Sequence, residues 1–230
     1  MSASTQLVTA DTLLREGPLD PDSDWSVRSF AGSLVELTGS SASAGLSVVA
    51  PLIHEAQRAG EPCAWISMQS ETFFLPDFIR CGVDTGRLTV VRVPNTRAVS
   101  HSAEYLARSA GFGLLVVDFT AGDVRDVESH FADRIVRLAR RHDIAVLCLT
   151  HSSAHVPRRR PGALARRNRD ERGRNGLHDT LGSLVSIRAE VSRERADDGT
   201  FRSVVRIVKD RHRGPGRSYS VMRYGPDGVR

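Results

Sequence analysis

The chain has 230 residues, 40% apolar and 26% charged, enough to bury one core with a short extension besides. No apolar run approaches the roughly 20 residues of a membrane-spanning helix, and MSASTQLVTADTLLREG lacks the basic-then-apolar layout of a signal peptide, so the expectation is a soluble cytoplasmic protein. The net charge of +5 is uneven: Arg158–Arg174 carries +6 and Arg202–Arg217 carries +5, which leaves −6 for the remainder. That asymmetry suggests a surface facing a polyanion.

Residues 1–31 are polar, contain the turn-rich LDPDSD, and read as an extension; the core is expected over 32–230. From Ser33 short apolar runs alternate with helical periods, which favours an α/β fold with a parallel sheet. SLVELTG reads as a strand ending in glycine and Leu46–Ala59 as a helix with apolar residues at 46, 49, 50, 53 and 56. Pro51 falls in the first turns of that helix, where a kink is expected. CAWIS, LTVVRV, LLVVDF and IAVLCLT read as buried strands, and Val124–Arg141 as an amphipathic helix between the last two.

Residues 152–175, SSAHVPRRRPGALARRNRDERGRN, have no apolar period and abundant Pro, Gly and Arg, and read as a long mobile loop. LGSLVSIRAEV, FRSVVRIVKD and RSYSVMRY then read as three strands in antiparallel hairpins, separated by Asp-Gly and Gly-Pro turn signals. Cys63, Cys81 and Cys148 lie far apart in apolar stretches and support neither a disulfide framework nor a metal site. The eight histidines are scattered, and His151 with His155 on a loop reads as solvated rather than metal-bound.

The run ELTGSSASAGLSVVAPLI followed by CAWIS, LLVVD and VLCLT resembles the RecA recombinase core, and the resemblance extends through GVDTGRLTVV and VRIVKDRHRGPG over roughly residues 32–230. It implies a RecA-like P-loop NTPase core, a mostly parallel central sheet flanked by helices with C-terminal antiparallel hairpins. Active members carry GxxxxGK[ST], whose backbone amides and lysine hold phosphates while the hydroxyl holds magnesium. Here Gly39 takes the first glycine, Ala44 the second, Gly45 the lysine and Leu46 the hydroxyl position. Shifting the register by one places Gly45 and Ser47 correctly but leaves Leu46 where the cation belongs. The single lysine, Lys209, is in a distant strand.

By the same resemblance, the glutamate that activates water is replaced by Gln69, which cannot act as a base, and the glutamine that senses the γ-phosphate by His151; the acid after LLVV, Asp118, is retained. Gly39, Ser43, Ala44, Gly45, Leu46, Gln69, Asp118 and His151 therefore read as a vestigial nucleotide site in a pseudo-ATPase, with no catalytic residue, metal or cofactor. In RecA-like proteins the segment after the central strand orders on single-stranded DNA, and Arg158, Arg159, Arg160, Arg166, Arg167, Arg169, Arg172 and Arg174 fall there. Arginine pairs bidentately with phosphate, so sequence-tolerant, salt-sensitive binding is expected. Lys209 and Arg211 hold the positions whose basic residues reach a neighbouring recombinase subunit.

The degenerate loop, Pro51, and AWIS…LPDFIRCGVDTGRLTVVRV…AEYLARSAGFGLLVVDF look like ImuA proteins, RecA-fold accessories of bacterial mutagenic repair. That resemblance implies partnership with a recombinase and/or ImuB and an error-prone DNA polymerase in translesion synthesis under DNA-damage (SOS) control. Two other readings stand beside it: an unorthodox but active RecA- or KaiC-like ATPase, and a SulA-like cell-division inhibitor, against which the arginine loop argues.

Overall fold

The computed structural model describes residues 25–39, 42–70, 75–122, 126–128, 130–151, 181–195 and 200–224. In chain order they form α1 (Val27–Phe30), β1 (Leu34–Gly39), α2 (Ala42–Arg58), β2 (Cys63–Met68), α3 (Leu75–Arg80), a 3-10 turn (Thr85–Arg87), β3 (Leu88–Val93), α4 (Thr96–Ser109), β4 (Leu114–Asp118), α5 (Phe131–His142), β5 (Ala145–His151), β6 (Ile187–Arg195), β7 (Thr200–Asp210) and β8 (Ser218–Tyr224). The strands make one eight-stranded sheet in the order β3-β2-β4-β5-β1-β6-β7-β8. The six from β3 to β6 run parallel; β7 and β8 add antiparallel. The fold is thus α/β, a mostly parallel sheet flanked by helices with antiparallel strands at its C-terminal end. Among the described residues no helix is long and apolar enough to cross a membrane.

Strand alternation sends Val35, Leu37, Trp65, Val116 and Leu147 to one face and Leu34, Ile66, Leu115, Val117 and Cys148 to the other. Both sets are apolar, as the continuous hydrophobic strand runs require when helices cover both faces. The first face packs α1, α2 and Phe78 of α3; the second packs Val99 and Ala103 of α4 and Ile135 and Ala139 of α5. Crossovers that step outward to β3 therefore lie on one face and those that step back on the other, as right-handed connections demand.

Trp25, Val27 and Phe30, within the stretch read as an extension, are buried in the core. Their one-turn helix forms because Ser26 Oγ accepts from Ser29 N and Ser29 Oγ from Ser26 N, both at 3.2 Å, while the Glu55 carboxylate accepts from Val27 N at 3.1 and 3.2 Å. Trp25 meets Phe30 edge-on at 4.9 Å and lies 5.8 Å from Tyr219 of β8, which ties this segment across the sheet.

Three expected element boundaries move. α2 begins at Ala42 rather than Leu46, which puts Pro51 well inside it and removes the amide that would bond the Ser47 carbonyl. The helix expected from Val124 begins at Phe131: Glu128 accepts from Phe131 N through its carbonyl, and its carboxylate is drawn sideways by Arg97, His101 and Arg134. The strand expected from Leu181 begins at Ile187, because residues 181–186 form a connection held by Ser186 N donating to Leu34 O at 2.8 Å. The short helices α1 and α3, and α4 with its Asn95 cap accepting from Ala98 N at 2.9 Å, were not distinguished by apolar period alone.

Candidate functional site

Parallel strands place every carboxyl end on one edge of the sheet, and ligands of such folds bind where neighbouring crossovers part to opposite faces. Here the connections after β1 and β2 cover one face and those after β3 and β4 the other, so the parting lies between β2 and β4. Gly39, Gln69, Asp118 and His151, from four separate segments, all lie on this edge at the ends of β1, β2, β4 and β5. Gly39 pairs with His151 in register, and His151 Nδ1 approaches Gly39 O at 3.5 Å.

Each group has a definite local role. Asp118 is buried, and its Oδ1 accepts from Thr120 N at 3.0 Å and Thr120 Oγ1 at 2.6 Å, an Asx-type turn that closes β4. Gln69 is exposed; its backbone N–H donates to Val93 O at 2.8 Å and its backbone carbonyl accepts from Arg92 Nη2 at the same distance. Only residues 40 and 41 separate β1 from α2, so Ser43, Ala44, Gly45 and Leu46 belong to the first turns of the helix. Leu46 packs against the core of the first face. A Cβ on Gly45 would meet nothing within 4 Å, so no close backbone approach requires that glycine.

A cleft of about 590 Å³ opens on the same edge, lined by Met68, Asn95, Thr96, Arg97, Gly122 and Asp126 among others. Its walls are closely fitted: a Cβ on Gly122 would stand 2.1 Å from Thr96 Oγ1. Arg97 is held at the rim by Glu128 at 3.1 Å, and Glu128 also binds His101 at 3.0 Å and Arg134 at 2.7 Å. The Arg134 hydrogen bond first, and His101 second, hold the Glu128 carboxyl down at about 2. Arg134 in turn binds Glu104 at 2.8 Å, which joins α4 to α5.

Beneath the edge lies a polar chain that sequence reasoning missed. Glu36 of β1, fully buried, accepts from Arg188 Nε of β6 at 2.6 Å and from Thr150 Oγ1 of β5 at 3.1 Å. With its own hydrogen directed at Glu36, the Thr150 hydroxyl accepts from Thr38 Oγ1, 3.1 Å away. The signal was present, a charged residue in the middle of each of two apolar strands, SLVELTG and VSIRAEV.

Lys209 and Arg211 lie at the opposite, amino edge, where β7 pairs with the start of β6. Lys209 Nζ and Arg211 Nη2 both donate to Ser183 O, at 2.7 and 2.5 Å. Arg158 to Arg174 lie outside the described residues. Among the described residues no group of three or more His, Cys, Asp or Glu is placed to hold a metal. A scan against protein-family models finds no match for the chain, and a search of curated proteins finds none either.

Proposed function

We propose that the chain is a non-catalytic RecA-like accessory protein of the bacterial DNA-damage response. In this reading it acts as an adaptor in translesion mutagenesis for a recombinase and/or ImuB with an error-prone polymerase, with sequence-tolerant single-stranded DNA binding through Arg158–Arg174. Support for a degenerate P-loop core comes from the arrangement at the carboxyl edge, where β1 runs through a short connection into α2 beside the ends of β2, β4 and β5.

One observation carries the non-catalytic part: the start of α2 has no cation, and Leu46, at the hydroxyl position or, with the register shifted by one, at the lysine position, packs half-buried against the core of the first face. A phosphate-wrapping loop takes about five residues between strand and helix, and this connection has two. The residues present do not fit a magnesium-bound triphosphate. Phosphoryl transfer depends on positioned positive charge, so removing it leaves little to lower the barrier. Lys209 and Arg211 serve the adaptor reading as a basic contact for a recombinase subunit, since donation to a neutral carbonyl leaves their charge intact.

The test is ATP turnover by the purified chain with and without single-stranded DNA, alongside recovery of partners from DNA-damaged cells. No turnover above background, with recombinase, ImuB or polymerase recovered, is expected. Hydrolysis at an ordinary enzymatic rate overturns the reading in favour of an active ATPase, and recovery of a tubulin-like polymer without DNA binding favours the division inhibitor.

A further inference from the structure

Each of the first five parallel strands is preceded by an exposed arginine: Arg28 before β1, Arg58 before β2, Arg87 before β3, Arg108 before β4, and Arg140 with Arg141 before β5. In the sequence these positions lie at least twenty residues apart, the last pair excepted, and belong to no charged run. The fold gathers them because each crossover helix returns antiparallel to the strands, so the helix ends and the loops after them emerge at the amino edge. Strands β3, β2, β4, β5 and β1 are contiguous, so this edge of the sheet is about 19 Å wide at about 4.8 Å per strand, with Arg28 and Arg58 on the side of α1 and α2 and Arg108, Arg140 and Arg141 on the side of α4 and α5. Beyond β1 the edge continues to the β7–β8 turn with Lys209, Arg211 and Arg213.

Among the described residues none of the six arginines makes an ion pair or a side-chain hydrogen bond, whereas Arg97, Arg134, Arg188, Arg206 and Arg217 elsewhere each pair with a carboxylate. Glu61, Asp84, Asp143 and, at the end of β7, Asp210 stand at the same edge, fewer than the basic groups there, and Asp84 Oδ1 is taken by Gly86 N at 2.9 Å while Asp210 pairs with Arg217. Compensation of helix dipoles accounts for a cation at the end of α2, α4 or α5. It does not account for Arg87 on a 3-10 turn or Arg28 on a single helical turn.

We infer that this amino edge is a nucleic-acid surface separate from the Arg158–Arg174 segment, contacting the phosphodiester backbone without reading bases. Arginine supplies bidentate phosphate contacts, and among the described residues the exposed aromatic on these helices is Tyr105, one turn before Arg108 on α4, a single ring rather than a series of stacking platforms. The inference does not depend on the adaptor reading.

The experiment is fluorescence anisotropy of a labelled oligodeoxythymidylate and of a mixed-sequence duplex against the full chain over a range of salt. The variants are Arg108→Gln/Arg140→Gln/Arg141→Gln and, separately, Arg158→Ala/Arg159→Ala/Arg160→Ala. For the first, affinity is expected to fall at least tenfold on whichever form binds. The slope of log affinity on log salt should shrink by about 2 for the single strand or about 2.7 for the duplex, from roughly 0.7 and 0.9 per phosphate contact. Should that variant unfold, Arg58→Gln/Arg87→Gln gives the same reading with a slope change of about 1.4 for the single strand. Unchanged affinity and slope in the edge variants overturn the inference even if the segment variant loses binding. So does binding of polyglutamate by the wild type without binding of either oligonucleotide.

Discussion

Glu36 and Arg188 meet in the interior of the sheet, carboxylate to guanidinium at 2.6 Å, with neither more than 7% exposed. The two residues lie 152 positions apart in the chain, and their contact links β6 to β1. Arg188 also donates to Gly182 O at 3.3 Å, so the pair anchors the connection that enters β6. Because both charges have left water, each requires the other. Glu36→Gln is expected to destabilise the protein by about 3 kcal/mol in urea unfolding, and Glu36→Leu combined with Arg188→Met to recover most of that loss. Additive losses in the double variant would show that the two side chains act separately.

Glu128 carries the acid sensitivity of the α4–α5 surface. Its folded pKa is held down to about 2 against an ordinary 4.5, by Arg134 first and His101 second. A depressed carboxylate contributes stability that is complete above 4.5 and is lost as pH falls towards 2. Glu128→Gln should flatten the fall in thermal stability across that window, and added salt should shrink the difference because the group is exposed to screening. A fall of unaltered steepness in the variant would move the acid sensitivity elsewhere.

Ala110 closes α4 with φ of 56°, a left-handed conformation that costs a residue bearing Cβ. Glycine takes that conformation freely, and Ala110 is exposed, so no packing is lost. Ala110→Gly is expected to raise stability by about 1 kcal/mol in chemical denaturation. A destabilised variant would indicate that Ala110 makes a contact outweighing its backbone strain.

Cys63 is pushed up to about 12 by burial, with the Glu61 charge adding to it, and Cys148 is raised by burial and then by Glu36. Thiolate is the reactive form, so both are inert near pH 8. Half-buried Cys81 is expected to be the single thiol that reacts with a disulfide reagent in the native protein, against three in denaturant, and Cys81→Ser should abolish the native reaction. A second thiol reacting at a comparable rate in the native state would mean that the core opens around Cys63 or Cys148.

Local pattern made much of this chain legible before any contact was known. CAWIS and LLVVD became strands within a residue of the expected bounds because buried strands of a parallel sheet are continuously apolar, whereas LTVVRV, expected to be buried, has the expected bounds but forms the sheet edge with Leu88 alone buried. The absence of a lysine from the loop after β1 is likewise a property of the sequence alone. Folding decided which distant residues became neighbours. Glu36 found Arg188, Trp25 found Tyr219, and Gly39, Gln69, Asp118 and His151 came to one edge, none of which a period of 2 or 3.6 residues encodes. Arginines scattered singly through an otherwise acidic body came to one edge, since parallel strands joined by returning helices send every helix end the same way. Periodicity reports which face of an element is buried; only strand order and direction determine what that face and its ends will meet.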